Sequence, residues 1–385
     1  MGYLDYNATT PLGPEALEAM LPYLREEFGN PSSIHAAGRR SRAAIDDARD
    51  RLAALIGARP HEIIFTGGGT ESNNLALIGL ALARESSGRH LITASTEHHA
   101  VLHAMEFLRA RHGFDVTILP VDTGGRVDPD QLAATIRSDT TLVSIMSANN
   151  ETGTLQPIAE LAACCQERNV LFHSDMVQSF GKETVRPHEL GIAALSLTAH
   201  KFYGPKGAGA LFLRAGLPLT TLHHGGAHEN QRRPGTENVA AIAGLAAAAE
   251  ATDAGLEAEQ DRQRELRDWL WEGIRTEFPA AIRNGDPEHT LANTLNVTFP
   301  GADGETLLIG LDMEGISASS GSACMVGSVQ PSHVLLAMGV PEKIAQATVR
   351  FSLGKLTTGA EIEAALTGLS RVLERQNLTL DSEKV

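Results

Sequence analysis

The chain has 385 residues, of which 42% are hydrophobic, and a formal net charge of −15 at pH 7. This length predicts a large buried core and about two domains, and the negative charge argues against a nucleic-acid partner, whose phosphates would be repelled. The sequence contains no apolar run of membrane-spanning length, and its opening residues "MGYLDY" do not resemble a targeting signal, so we expect no membrane partner and a cytoplasmic location.

Short apolar strands alternate with helical segments, which predicts a mostly parallel sheet covered by helices. The first strand, "EIIFT" at 62–66, runs into a glycine loop and a helix start, "GGGTESNNLAL". Backbone N–H groups at such a helix start bind phosphate, and Thr70 could add its hydroxyl. A dinucleotide fingerprint would need a further glycine where Ser72 stands, so the loop favours a cofactor with one phosphate. The alternative is a plain glycine turn.

The next strand, "HLITAS" at 90–95, precedes "EHHAVLHAMEFLRARHG", whose helical spacing closes on a glycine. His98 follows the strand and could stack on a ring or carry a proton. His99 and His103 lie four residues apart on one helix face, as metal ligands do, but no third ligand is evident. We therefore predict no metal site.

Two further strands end in polar residues, "TLVSIMSANNETG" at 141–153 and "VLFHSDMVQSFG" at 170–181. Ligands bind beyond the carboxyl ends of such strands, so we expect Asn149, Asp175 and Gln178 to converge on one edge of the sheet. Asp175 could pair with a protonated ring nitrogen and keep it cationic. The alternative is that Asp175 only caps a following helix.

The segment "LSLTAHKFYGPKGAGALFL" at 195–213 surrounds Lys201 with small and apolar residues. A desolvated lysine loses its proton easily and can then attack a carbonyl. The aldehyde most often bound in this way is pyridoxal phosphate. The alternative is a lysine at a strand end with its ammonium in water.

An alanine-rich helix and the charged segment "EAEQDRQRELRDWLWEGIR" place a domain boundary near residue 255. We expect a large cofactor-binding domain over residues 14–255. Residues 1–13 and 256–385 should form a smaller α+β domain.

The segment "ASSGSACMVGSVQPSH" at 318–333 has neither strand nor helix periodicity. We expect a mobile, exposed loop over about 318–332 that carries Cys324. A thiol on such an arm can attack at one place and deliver at another. The alternative is a small buried residue in a turn. Cys164 and Cys165, on the predicted helix "IAELAACCQER", are expected to be packing residues.

In "ATVRFSLG" at 347–354, Arg350 faces the opposite side of a strand from Val349 and Phe351. Its planar guanidinium suits a substrate carboxylate, with a surface ion pair as the alternative. The polar, glycine-rich stretch "HHGGAHENQRRPGTENV" at 223–239 is typical of a loop at a subunit contact or an anion site.

Ten motifs together resemble the cysteine desulfurases of the NifS and IscS type, within the class V aminotransferase-like enzymes, over nearly the whole chain. These motifs, in the order found in that family, are "YLDYNATTP", "FGNPSSIH", "TESNN", "STEHHAVL", "ANNETGT", "HSDMVQSFGK", "AHKFYGPKGAGAL", "RRPGTENV", "SSGSACMVGSVQPSHVL" and "VRFSLGK". The resemblance implies a type I pyridoxal-phosphate fold with a seven-stranded sheet, a homodimer, and conversion of L-cysteine to L-alanine. The released sulfur would go to an acceptor protein such as an iron-sulfur scaffold.

The same resemblance implies roles for individual residues. Lys201 would hold pyridoxal 5'-phosphate covalently, His98 would stack on its ring, and Cys324 would accept the sulfur as a persulfide. The other contacts it implies are Asp175 with the pyridine nitrogen, Gln178 with the ring oxygen, Asn149 and Arg350 with the substrate carboxylate, and Gly69, Thr70, Thr198, His200 and the neighbouring subunit's Thr236 with the phosphate.

Three positions depart from the family pattern: Gly67, where serine is common, Met176 beside the aspartate, and Met325 after the cysteine. Other activities also remain open. A transaminase of the same fold would not need Cys324, a selenocysteine lyase would differ only in substrate preference, and a cofactor-free scaffold that binds sulfur carriers would be colourless.

Overall fold

The computed structural model describes residues 2–320 and 331–376. The strands are β1 (Gly2–Tyr3), β2 (Ile63–Thr66), β3 (His90–Ala94), β4 (Asp115–Leu119), β5 (Thr140–Ser144), β6 (Leu171–Asp175), β7 (Ala194–Thr198), β8 (Gly209–Leu213), β9 (Ile282–Asn284), β10 (Thr294–Thr298), β11 (Ile316–Ser317) and β12 (Thr348–Ser352). The helices are α1 (Pro14–Arg25), α2 (Ala36–Ile56), α3 (Gly69–Ala83), α4 (His99–His112), α5 (Pro129–Thr135), α6 (Ile158–Glu167), α7 (His228–Gln231), α8 (Val239–Asp253), α9 (Leu256–Glu277), α10 (Gly304–Met313), α11 (His333–Ala337), α12 (Glu342–Ala345) and α13 (Gly359–Arg375).

A seven-stranded sheet with the order β2-β8-β7-β6-β5-β3-β4 forms the centre of the fold. β8 pairs antiparallel with β2 and β7, whereas the pairs from β7 through β6, β5 and β3 to β4 are all parallel. The predicted fold class, a mostly parallel seven-stranded sheet with helices, is confirmed.

Helices cover both faces of this sheet. The strands β2, β3, β5, β6, β7 and β8 are buried along their whole length, as in sheets that are covered on both sides. One face packs against Ile45 of α2 and Leu245 of α8, and the other packs against Leu77 of α3 and Met105 of α4. Cys165 of α6 lies in the first of these cores, as predicted for a packing residue.

A second group of elements contains the antiparallel sheet β12-β10-β9 and the parallel pair β1-β11. Its apolar core joins Leu4 near the amino terminus to Leu270, Phe351 and Leu369. This composition agrees with the α+β character expected beyond residue 255. The domain boundary itself stays a prediction.

Across the described part of the chain, one bent helix pair has membrane-spanning length and composition. Within residues 2–320 and 331–376, no single helix is long and apolar enough to cross a bilayer, although α8 and α9, bent by 72° between them, together reach that length and composition.

Candidate active site

A cavity of about 420 Å³ lies at the carboxyl ends of the central strands. Parallel strands present their carboxyl ends at one edge of the sheet, and ligand sites of open α/β sheets form there. The residues that line the cavity are Asn7, Ala8, Gly69, Thr70, Asn73, His98, Met146, Ala148, Asn150, Asp175, Val177, Gln178, Thr198, His200, Lys201 and Arg350. Most of the site residues predicted from the sequence are therefore brought together at one place.

Asp175, the last residue of β6, is held rigidly by two hydrogen bonds. Its Oδ2 accepts from Asn73 Nδ2 at 2.6 Å and its Oδ1 from the Val177 backbone N–H at 2.9 Å. Only 5% of the residue is exposed. The bond to Val177 is an Asx turn, and since no regular helix begins there, the helix-cap alternative is wrong.

The loop between β2 and α3 forms an open cradle for an anion. Gly68 has a φ of 151°, which is accessible to glycine and strained for other residues. No side chain of the residues that the structure describes caps the first turn of α3, so its backbone N–H groups are available to a ligand. An adjoining cavity of about 940 Å³ shares Gly69, Thr70, Thr198 and His200 with the first.

Gly67 lies in the same loop, beside the carboxylate end of the Glu71 side chain. Its N–H donates to Glu71 Oε2 at 2.7 Å, and an added Cβ would come within 2.8 Å of that oxygen. The other described departure, Met176, is buried in the core beneath the site.

Lys201 ends a short 3-10 turn, Ala199–Lys201, directly after β7. Its Nζ donates to the backbone oxygens of Asn7 at 2.5 Å and Ala8 at 2.8 Å. The amine is therefore directed by a segment almost two hundred residues earlier in the chain, and the alternative of a lysine with its ammonium in bulk water is wrong.

His98 caps α4, and this bond determines which ring nitrogen carries hydrogen. Nδ1 accepts from the Ala100 N–H at 3.0 Å. Burial lowers the pKa of His98, the Asp175 carboxylate opposes this shift, and the charge of Lys201 adds to it. The neutral ring consequently carries its hydrogen on Nε2.

His200 is also kept neutral. Burial lowers its pKa to about 4, and the nearby Lys201 and Lys206 contribute in the same direction. Its Nδ1 lies 3.2 Å from Thr9 Oγ1. A neutral imidazole here can offer one N–H to an anion in the shared cavity.

Arg350 of β12 is buried, with 3% of its side chain exposed, and the alternative of a surface ion pair is wrong. It donates to Asp5 Oδ1 at 2.7 Å and to the backbone oxygen of Asn150 at 2.9 Å. Its Nε has no partner among the described residues. Only two of the five N–H hydrogens of Arg350 have protein partners in the described part of the chain, so the guanidinium retains donors for a ligand carboxylate in the cavity that it lines.

The structure corrects the predicted partner of Arg350. Asn149 does not line the cavity, and Asn150 does. The Asn149 side chain closes a tight turn, because its Oδ1 accepts from the N–H groups of Glu151 and Thr152 and its Nδ2 donates to Thr96 O. The side chains of adjacent residues in a turn point in different directions. The sequence "NN" alone therefore could not show which of the two asparagines enters the cavity.

Thr236, like Asn149, does not line this cavity. Thr236 is exposed on its own chain, and Cys324 lies outside the described residues. Cys165 is deeply buried, which raises its thiol pKa to about 12. Among the described residues, no group of histidine, cysteine or acidic side chains could hold a metal ion.

Several lining residues were not anticipated: Asn7, Asn73, Met146, Asn150 and Val177. Asn73 shares the "TESNN" motif with Thr70 and lies one helical turn further on. That spacing is the feature of the sequence from which a position of Asn73 beside the site could have been predicted. Asn7 reaches the site from the amino terminus, which strand-end reasoning does not consider.

The chemical groups of the cavity fit pyridoxal 5'-phosphate. The amine of Lys201 suits its aldehyde, the anchored Asp175 carboxylate suits a protonated pyridine nitrogen, and the glycine cradle suits one phosphate. The Asn73 Oδ1 atom is buried without a hydrogen-bond partner among the described residues, as expected where a ligand completes the site.

Comparison with known proteins identifies the family. The aminotransferase class-V family model matches residues 2–365. A cysteine desulfurase IscS from Dictyoglomus turgidum is 48% identical over 373 residues, covering 97% of this chain and 94% of the relative.

Solved structures agree with this match. A NifS-like protein superposes with a TM-score of 0.92 at 38% identity, covering 97% of this chain and all of the other. The structure described as SspA in complex with cysteine has a TM-score of 0.81 at 38% identity, covering 92% and 99%. The chain belongs to the class-V aminotransferase family and, within it, to the pyridoxal 5'-phosphate-dependent cysteine desulfurases.

Proposed function

We propose that this protein converts L-cysteine to L-alanine and carries the released sulfur as a persulfide on Cys324. The observation that carries the proposal is the meeting of Lys201, Asp175 and Arg350 in one cavity. An amine, a carboxylate and a buried guanidinium are what a pyridoxal-phosphate enzyme needs for an amino-acid substrate.

Each group has a proposed task. The Arg350 guanidinium and the Asn150 side chain bind the substrate carboxylate, and Lys201 removes and returns the proton at Cα. When bound, pyridoxal 5'-phosphate supplies an electron sink for that carbon, and Asp175 keeps a proton on its ring nitrogen. Gly69, Thr70, Thr198 and His200 hold the phosphate, and Gln178 contacts the ring oxygen.

Cys324 attacks the substrate sulfur, so that an S–S bond forms while the C–S bond breaks. The attacking form is the thiolate, and an ordinary thiol pKa of about 8.5 leaves only a small thiolate fraction near neutral pH. His98 stacks on the cofactor ring and can accept or deliver a proton. The persulfide then passes to an acceptor protein such as an iron-sulfur scaffold.

The cysteine complex of the SspA relative supports the proposed substrate, since that structure is described as containing cysteine. We further propose a cytoplasmic homodimer, in which Thr236 completes the phosphate site of the neighbouring subunit. Its exposure on its own chain is compatible with such a contact. We also propose that residues 14–255 form the cofactor-binding domain and that the remainder forms the smaller one.

Product analysis tests this function. The purified protein is incubated with L-cysteine, alanine and sulfide are quantified, and peptides are weighed without reduction. We expect a mass increase of about 32 Da, one sulfur atom, on the Cys324 peptide. Cys324→Ser should retain cofactor colour and lose sulfur release.

The same experiment separates the alternatives. Undiminished alanine formation by Cys324→Ser would favour a transaminase and contradict the proposal. Much faster turnover of selenocysteine than of cysteine would indicate a selenocysteine lyase. A protein that remains colourless with pyridoxal 5'-phosphate would indicate a scaffold.

A further inference from the structure

Lys182 is a buried cation that the proposed mechanism does not use. It lies one helical turn's spacing after Gln178. Its Nζ donates to Gln178 Oε1 at 3.0 Å and to Asn7 Oδ1 at 3.0 Å. Both acceptors line the cofactor cavity, so Lys182 contacts the site from behind.

These contacts determine the orientation of the Gln178 amide. An ammonium group has only donors, so the atom facing Lys182 must be the amide oxygen. The amide nitrogen in turn donates to the Asn7 backbone oxygen at 3.0 Å. One amide hydrogen is left over, and Gln178 can direct it to an acceptor in the cavity.

Asn7 connects the two lysines. Its backbone oxygen accepts from both Lys201 Nζ and Gln178 Nε2, while its side-chain oxygen accepts from Lys182 and from Asn293. Lys182 and Lys201 also line a common small cavity of about 20 Å³, together with Tyr203 and Glu259.

We infer that Lys182 is a positioning residue, which holds the Gln178 amide so that an N–H rather than a carbonyl oxygen faces the ring oxygen of the cofactor. This rests on the proposed binding of the cofactor at Lys201. Burial lowers the pKa of Lys182 to about 7, and the neighbouring Lys201 and Arg350 contribute. Either protonation state of the amine retains N–H donors for the Gln178 oxygen.

The test is a pH titration of the visible absorption of the bound cofactor, which reports deprotonation of its linkage to Lys201. An N–H donor to the ring oxygen favours the deprotonated form, so its loss should raise the titration midpoint. We expect Lys182→Met to raise the midpoint by about one pH unit, the size of one hydrogen bond to a charged group. Lys343→Met, which removes an exposed lysine of α12, should leave it unchanged.

Adding Lys182→Met to a Gln178→Leu variant separates an effect of Lys182 on the Gln178 amide from a direct effect of its charge on the cofactor. If Lys182 acts through Gln178, Lys182→Met should add less than about a third of its shift there, since coupled groups are not additive. An unchanged midpoint in the single variant, or the full shift in the Gln178→Leu background, would overturn the inference.

If Lys182→Met does not yield folded protein, Lys182→Gln tests the positioning role instead. The glutamine removes the charge of Lys182 and keeps an N–H donor for Gln178. A midpoint close to that of the unsubstituted protein supports positioning, and a full shift overturns it. The titration uses no cysteine. A failure of the proposed desulfuration therefore leaves this readout intact.

Discussion

The buried Arg350 forms an ion pair of 2.7 Å with the partly exposed Asp5 at the edge of the cavity, joining β12 to the amino-terminal segment. Asp5 Oδ1 accepts one hydrogen from Nη2, Asn150 O accepts one from Nη1, and Nε has no partner among the described residues. Because two acceptors hold the planar guanidinium at fixed angles, the directions of its other N–H groups are determined before substrate arrives.

Arg350→Lys should weaken substrate binding while preserving charge. A lysine cannot satisfy Asp5, Asn150 O and a carboxylate with the same planar geometry. We expect kcat/KM for L-cysteine to fall about 10- to 100-fold, mainly through a higher KM. Arg371→Lys, on the exposed surface of α13, is the matched control. An unaltered KM in Arg350→Lys would contradict the carboxylate role.

Asp175→Asn should retain the fold and lose catalysis. An asparagine can still accept from Val177 N–H, but it carries no charge to keep the cofactor nitrogen protonated. We expect kcat to fall at least about 100-fold, the scale of losing one preorganised electrostatic contact. Asp122→Asn, at an exposed loop position, serves as control. Activity within twofold of the original would exclude the ring-nitrogen pairing.

Cys165 should be chemically inert in the folded protein. Burial raises its pKa to about 12, so very little thiolate exists near neutral pH. Alkylation with iodoacetamide followed by peptide mapping should leave Cys165 unmodified until the protein is denatured. Cys165→Ala should preserve persulfide formation and lower the free energy of unfolding by about 1 kcal/mol through a small cavity. Persulfide sulfur on Cys165 would refute this assignment.

His173 should make the protein less stable in mild acid. Its ring lies between Ser144 and Ser196 in β5 and β7, and burial lowers its pKa to about 3. Between that value and the unfolded value of about 6.5, only the unfolded chain binds the proton, so stability is lost as pH falls through this window. At pH 5 the contribution is about 2 kcal/mol.

Denaturant unfolding at neutral and mildly acidic pH measures this effect. His173→Gln should flatten the pH dependence, whereas His61→Gln, at an exposed position, should leave it as steep as before. An equally steep acid loss in His173→Gln would assign the proton uptake to another group.

The sequence alone was sufficient for the sheet and for much of the site. The strands were recognisable in the sequence as short apolar runs that end in polar residues. Parallel strands run in the same direction, so their carboxyl ends meet at one edge of the sheet. Asp175 and Gln178 could therefore be placed at one edge from their positions alone. The ordered motifs identified the family. The family model and the similar cysteine desulfurase confirm that this chain belongs to it.

Tertiary structure decided what depends on side-chain direction and on distant segments. Whether Asn149 or Asn150 enters the cavity follows from a turn in which neighbouring residues point apart. Three contacts depend on how distant segments pack at the site. The amino-terminal segment brings Asn7 to Lys201 and Asp5 to Arg350, and the turn after β6 brings Lys182 to Gln178. Local sequence determines which groups a segment can offer, but a hydrogen bond needs its partner within about 3 Å, and only the folded chain brings the two together.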